Sequence, residues 1–203
     1  MIDVNKIIVV DDIFPKWLQD SIDEQVKKYS GWKISDVFSE FIVDKETNKR
    51  GEEWFCTKVL YQFQAEPWDE CNGLTALFND CFTRDAIFRA IPDASIKRLV
   101  RIRLNGTFKN LPVYPHDDCS QDQTSVWTIV YYLNDSDGGT NFYHDNGHTL
   151  AKTVPFKKGS AVFFPSVYFH QAQQPVDHNV RITLALMYVI DSELNNSLFL
   201  PKE

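Results

Sequence analysis

Cysteine, methionine and glycine are scarce in this chain, at 4, 2 and 8 of 203 residues. Cys56, Cys71, Cys81 and Cys119 form no Cys-x-x-Cys pair, which sets aside closely spaced thiolate metal sites and dithiol redox motifs. No charged stretch followed by an apolar one opens the sequence, so the expectation is reduced thiols in a cytoplasmic protein. Nor does any apolar run approach the length of a membrane-spanning helix. Positive charge is in deficit, with 21 Lys and Arg against 28 Asp and Glu and a net charge of -7. The basic doublets Lys27-Lys28 and Lys157-Lys158 are too short to form a nucleic-acid surface, so no nucleic-acid partner and no membrane partner are expected. Repeats, low-complexity stretches and linkers are absent too, which leaves a single domain over 1–203.

What the chain has in quantity is aromatic bulk, with 15 Phe, 8 Tyr and 5 Trp, which suits a packed β-sandwich. Ile7 to Val10 reads as a short strand. Pro15 then suits the first turn of a helix carrying Leu18, Ile22 and Val26 on one face. Helical spacing of Leu74, Leu77, Phe78, Cys81 and Phe82 predicts a second helix from about Pro67 to Phe88. Between them, Glu40 to Glu53 is charged and irregular and reads either as a mobile loop over substrate or as a plain solvated hairpin. From Ser95 onward strands alternate with turn signals at Asn105-Gly106, Asp137-Gly138-Gly139, Asn146-Gly147 and Lys158-Gly159, a spacing that favours an antiparallel sandwich or barrel. The expected plan is a helical N-terminal support over about 1–94 and a β core over about 95–192.

Chemistry concentrates in that second part. In an extended Pro115-His116-Asp117-Asp118, residues two apart share a face, so the His116 imidazole and the Asp118 carboxylate converge. His170 ends the apolar run Ala161 to His170, which reads as a strand. If that run returns beside the first pair, the set is a 2-His-1-carboxylate triad with open coordination positions for a bidentate ligand and dioxygen. Arg181 opens a second strand-like run, Val180 to Ile190. A guanidinium inside a sheet needs an anion, and its planar fork suits a carboxylate. Thr183 lies on the same face and is small enough to leave room for one. His144 and His148, flanking Asn146-Gly147, read as turn neighbours, and His178 reads as a loop residue.

Four motifs in this order make the chain resemble the prolyl 4-hydroxylase-like group of Fe(II)/2-oxoglutarate-dependent dioxygenases. They are Pro115-His116-Asp117-Asp118, Thr128 to Asn134, Gly138-Gly139 leading to Phe142-Tyr143, and His170 followed by Pro175-Val176 and Arg181-Ile182-Thr183. The resemblance covers roughly residues 96 to 190. It implies a mainly β fold with flanking helices: a double-stranded β-helix, or cupin-like jelly roll, with the N-terminal helices packed outside. It implies His116, Asp118 and His170 as iron ligands, and Arg181 and Tyr132 on the distal carboxylate of 2-oxoglutarate, with Thr183 beside them. Parity agrees for Tyr132, which shares a strand face with Thr128 and Val130. Relatives carry a further tyrosine before the loop upstream of His-x-Asp. This chain has Leu104 and then Asn105-Gly106-Thr107, so Arg101 and Arg103 become the candidates for gripping the metal-bound end of the cosubstrate, or the substrate.

The implied activity consumes 2-oxoglutarate and O2 with Fe(II), supported by ascorbate, and hydroxylates an unactivated C–H bond in a peptide, protein or small-molecule substrate. A peptidyl proline is the first expectation, with a free amino acid or other small metabolite beside it, acted on by a monomer or homodimer. Three other readings compete. A zinc hydrolase could use the same ligands but has no use for a strand arginine. A nucleic-acid dealkylating oxygenase is expected to carry a second arginine six residues after the first, where this chain has Met187. A non-catalytic binding module would have no reason to keep the full ligand set.

Overall fold

The computed structural model describes the backbone of residues 1–28, 33–43, 50–62, 72–120, 123–145 and 147–195, and side chains over 1–26, 75–120, 123–145 and 147–195. In chain order the strands are β1 Ile8–Val10, β2 Lys33–Val43, β3 Arg50–Gln62, β4 Ser95–Phe108, β5 Val126–Tyr132, β6 Thr140–Tyr143, β7 Leu150–Val154, β8 Ala161–Pro165, β9 His170–Ala172 and β10 Val180–Asp191. Helix α1 spans Lys16–Lys28; α2, Asn72–Cys81, runs through a π-helical turn at Phe82–Ala86 into α3, Ile87–Ala90.

Two antiparallel sheets form the double-stranded β-helix. The larger has strand order β1-β8-β5-β10-β4-β3-β2 and the smaller β7-β6-β9. Strand parity sorts the larger sheet into two faces. Ile102 and Leu104 of β4, Ile129 and Tyr131 of β5, Phe163 of β8, and Leu184 and Leu186 of β10 share a core with Ile22, Val26, Phe78 and Phe82 of the helical layer. Val130, Tyr132, Val162 and Phe164 turn the other way and pack with Phe142 and Val154 of the smaller sheet. Strand β5 is therefore buried along its whole length, which explains its unbroken β-branched and aromatic sequence. Arg101 and Arg103 have the parity opposite to Ile102 and Leu104, so both arginines lie on the inner, site-bearing face of β4.

Three features bear on the sequence reading. The N-terminal part contributes two long strands besides its helices: β3 pairs with β4, and β2 with β3. The run Trp54-Phe-Cys-Thr-Lys-Val-Leu-Tyr61 has strand chemistry, and it covers an edge of β4 that would otherwise leave a row of backbone groups unpaired. Secondly, Glu40 to Glu53, read as a mobile loop or a solvated hairpin, has its ends inside the antiparallel pair β2 and β3, which agrees with the hairpin, while 44–49 and any lid role for them lie outside the described residues. Thirdly, the apolar run ending at His170 is two strands, because a turn after Pro165, with Tyr168 N–H donating to Pro165 O at 2.9 Å, carries the chain from one sheet to the other. The second helix begins at Asn72, and the expected first residues 67–71 are outside the described set.

Phe82 is fully buried, edge-on to Phe14 with ring centroids at 5.1 Å and to Tyr131 at 6.0 Å. Truncation to alanine leaves a cavity between helix and sheet, so Phe82→Ala should lose about 3–5 kcal/mol. The check is urea unfolding, expected to show a lowered midpoint with unchanged slope.

Candidate functional site

The fold places His116 and His170 side by side through their main chains. His116 N–H donates to His170 O at 2.9 Å, and His170 N–H returns a bond to His116 O at 2.8 Å. Each imidazole is then oriented by its own local backbone: His116 Nδ1 lies 3.0 Å from Tyr114 O and His170 Nδ1 lies 3.0 Å from Tyr168 O. A carbonyl can only accept, so Nδ1 carries the proton on both rings and the Nε2 lone pairs remain for a ligand. Asp118 is positioned by its N–H on Ser166 O at 2.9 Å. One ligand atom each from His116, Asp118 and His170 falls within a span of 4.8 Å, a grouping that could hold a metal ion. Among the described residues no other set of His, Cys, Asp and Glu does so.

The electrostatics suit a cation. Burial, then the neighbouring His116, push the His170 pKa down to about 4, keeping the ring neutral and able to donate its lone pair near pH 7. Burial alone would push the Asp118 carboxyl up, yet Arg101 and the two imidazoles outweigh it, together with the Thr128 hydroxyl, and hold the group well below the usual carboxylate range. Arg101 Nη2 donates to Asp118 Oδ1 at 2.7 Å and Thr128 Oγ1 donates to Oδ2 at 2.8 Å. Thr128 is itself 2.7 Å from Ser166 Oγ. An ionised carboxylate with two proton-bearing nitrogens turned away from it is a donor set that fits a divalent metal.

On the same inner face, Arg181 is a fully enclosed guanidinium. Its Nε donates to Gly138 O at 2.8 Å and its Nη2 to Thr140 Oγ1 at 2.9 Å. The planar group lies 5.5 Å from the centroids of both Tyr132 and Phe156, two rings stacked on each other at 4.3 Å. Tyr132 Oη meets Thr140 Oγ1 at 2.8 Å, and Thr183 is the register partner of Tyr132 across β5 and β10. No carboxylate pairs with Arg181 among the described residues. Burial lowers its pKa, with the Tyr132 phenol opposing, but a guanidinium stays charged regardless. Asn134 fixes where β10 begins, donating to Val180 O at 2.9 Å and accepting from Ile182 N–H at 2.7 Å. At Gly138 a Cβ would collide with Gln173 O, so only glycine lets this turn come close enough for its carbonyl to reach Arg181.

The structure thus brings together His116, Asp118 and His170, and groups Arg181, Tyr132 and Thr183 nearby. It separates the two arginines of β4. The Nε of each is buried without a hydrogen-bond partner, but Arg101 is tied to Asp118 through Nη2 and Arg103 has no such ion pair among the described residues. Leu104, which stands where a tyrosine was expected, faces the helical layer with no exposure and takes no part in the site. His144 and His148 are turn residues as expected, held around Asp145, and His178 is a loop residue beside Asp137. Sequence reading missed Phe156, Thr140 and the Asp137 carboxylate, which accepts from Val176 N–H at 2.8 Å and Asp177 N–H at 2.9 Å just before β10. Only the Asp-Gly-Gly turn signal at 137–139 pointed towards them.

A family model described as "2OG-Fe(II) oxygenase superfamily" matches residues 109–189, the span that contains all three candidate ligands and Arg181. Among solved structures, a 2OG-Fe(II) oxygenase family oxidoreductase from Burkholderia pseudomallei aligns with a TM-score of 0.67 at 12% identity, over 91% of this chain and 85% of that one. A prolyl hydroxylase from Trichoplax adhaerens, in complex with a hypoxia inducible factor peptide fragment, aligns with a TM-score of 0.60 at 14% identity, over 97% and 88%. HygX from Streptomyces hygroscopicus, with nickel and 2-oxoglutarate bound, gives a TM-score of 0.59 at 11% identity, over 91% and 82%, and has also been solved with hygromycin B. These likenesses establish the fold. No curated protein sequence matches this chain.

His170 gives the site a pH signature. Its folded pKa of about 4 lies below the unfolded value of 6.5, so the unfolded chain binds the extra proton as pH falls through that window and stability is lost. The full shift corresponds to about 3 kcal/mol. Thermal denaturation of the metal-free protein should therefore give a Tm that falls between pH 6.5 and 4, with a shallower fall in His170→Gln.

Proposed function

We propose that this chain, whose residues 109–189 match the 2OG-Fe(II) oxygenase superfamily model, is an Fe(II)- and 2-oxoglutarate-dependent enzyme that hydroxylates an unactivated C–H bond. The observation that carries the reading is Arg181, an enclosed guanidinium with no acidic partner among the described residues, near enough to the clustered metal-ligand atoms for its charge to act on His170. An uncompensated charge in the interior costs several kcal/mol unless an anion completes it. The distal carboxylate of 2-oxoglutarate is that anion, and its planar shape matches the fork.

His116, Asp118 and His170 would hold the iron. Bound there, Fe(II) would supply the oxidative chemistry, in which dioxygen, 2-oxoglutarate and a C–H bond become succinate, carbon dioxide and an alcohol. The remaining steps belong to the protein. Arg181 and the Tyr132 hydroxyl fix the far end of the cosubstrate, and Thr183 leaves room beside them. The Tyr132 and Phe156 rings keep water off the ion pair, which strengthens it. Arg101 and Thr128 hold Asp118 ionised and prevent its rotation. The inner-face residues Val130, Val162, Phe142 and Phe164 keep the surroundings dry, so the oxidant meets substrate before solvent.

A prolyl residue in a peptide is the first substrate to test, in keeping with the prolyl hydroxylase among the structural neighbours. A second reading, a small carboxylic acid, is favoured by Arg103, whose buried Nε has no hydrogen-bond partner.

Succinate formation tests the reading. Protein loaded anaerobically with Fe(II) and given 2-oxoglutarate and then air should make succinate, proline-containing peptides should raise the rate if they are substrates, and His116→Ala should make none. Arg181→Ala removes two charge-assisted bonds to the cosubstrate, so its KM for 2-oxoglutarate should rise on the order of a hundred-fold. A wild-type protein that takes up no Fe(II) and forms no succinate, even with peptides present, would instead be a binding module.

A further inference from the structure

Among the described residues, Arg103 is the inner-face guanidinium that the proposed chemistry leaves unused. It stands two residues from Arg101, on the same side of β4, and its register partner on β10 is Ala185, whose small side chain leaves space above the sheet. Its Nε is buried without a hydrogen-bond partner. Burial, then the neighbouring Arg101, push its pKa down to about 10, with Asp118 opposing. The group is thus charged, close to the metal-ligand cluster, and without an anion of its own among the described residues, since Asp118 is already engaged by Arg101 at 2.7 Å.

Position separates Arg103 from the cosubstrate clamp. The Arg181 clamp is built on β10, β5 and β6, through Tyr132 and Thr140. Arg103 lies on β4, on the far side of β10 from β5, and neighbouring strands are about 4.8 Å apart. A cosubstrate tied at one end to Arg181 and at the other to the metal has both carboxylates committed. Charge points the same way. Arg101, Arg103 and Arg181 with a divalent cation exceed the combined negative charge of Asp118 and 2-oxoglutarate, so the loaded cavity keeps positive charge in a low-dielectric surround. A neutral substrate would leave that excess in place.

We propose that Arg103 anchors a carboxylate carried by the substrate, which makes the substrate of this site a free amino acid or similar small carboxylic acid rather than an internal residue of a peptide. The inference rests on the oxygenase reading above. It assigns Arg103 a specificity role, in which the paired carboxylate sets which C–H bond faces the metal.

Binding tests it without turnover. Protein loaded with Mn(II), which stands in for iron without the redox step, and saturated with 2-oxoglutarate is titrated calorimetrically with the common L-amino acids and N-acetyl-L-proline, each beside its primary amide. At least one acid should bind ten-fold or more tighter than its amide. Arg103→Gln should erase that difference, Arg103→Lys should keep part of it, and 2-oxoglutarate affinity should move less than three-fold in either variant. Acids and amides that bind alike, acids that do not bind at all, or a preference that survives Arg103→Gln would overturn the proposal. A large loss of 2-oxoglutarate affinity in Arg103→Gln would also overturn it, by assigning the arginine to the cosubstrate. Failure of wild type to take up Mn(II) or 2-oxoglutarate would sink the oxygenase reading itself, a result distinct from all of these.

Discussion

Everything near the site is arranged around a positive charge sealed inside the sandwich. Arg181 is 4% exposed and has no acid beside it among the described residues, and its neighbours serve to hold that charge in one orientation. Gly138 presents a carbonyl to Nε, Thr140 a hydroxyl to Nη2, and the Tyr132 and Phe156 rings lie against the guanidinium. Asn134 fixes the main chain on either side of the arginine through Val180 O and Ile182 N–H. A long flexible cation is thereby reduced to a fixed fork, and the ordering cost is met on folding rather than on binding.

The metal-ligand cluster follows the same logic with opposite sign. Asp118 is one anion in a cavity rich in cations and donors, and Arg101 and Thr128 occupy both of its oxygens from the side. Backbone carbonyls take the Nδ1 protons of the two histidines, so neither imidazole has a choice of tautomer. The candidate ligands are therefore held in a fixed protonation state, and the arrangement suits a divalent cation.

The pairing of His116 with Asp118 and the oddity of Arg181 were legible from local information, whereas His170 needed the fold to return it and Tyr132 came from the family resemblance. Two residues apart in an extended segment share a face, and an arginine inside a branched run is conspicuous wherever the run ends up. Turn spacing made an antiparallel sandwich or barrel legible and a periodic apolar stripe made α1 legible, while the double-stranded β-helix came from the family resemblance. The partners of Asp118 were not. Arg101 meets it only because β4 lies beside β10, and Thr128 only because β5 lies on the other side, facts of strand order that no local period encodes. Phe156 likewise sits outside any strand and becomes a clamp through the return of β8 beside β5. The N-terminal strands β2 and β3 were read as helical support with a charged loop or hairpin at Glu40 to Glu53; their reason to be long strands is the open edge of β4, a feature of another part of the chain.

The bridge between the main chains of His116 and His170 has a consequence for how the centre is made. The two histidines are 54 positions apart in sequence, yet their amides already exchange bonds across the smaller sheet. Closing so long a loop is an entropic cost that the fold has met before any ion arrives. An ion held by His116, Asp118 and His170 would therefore dock onto a finished frame, and its affinity would report ligand chemistry, undiluted by the work of bringing distant segments together.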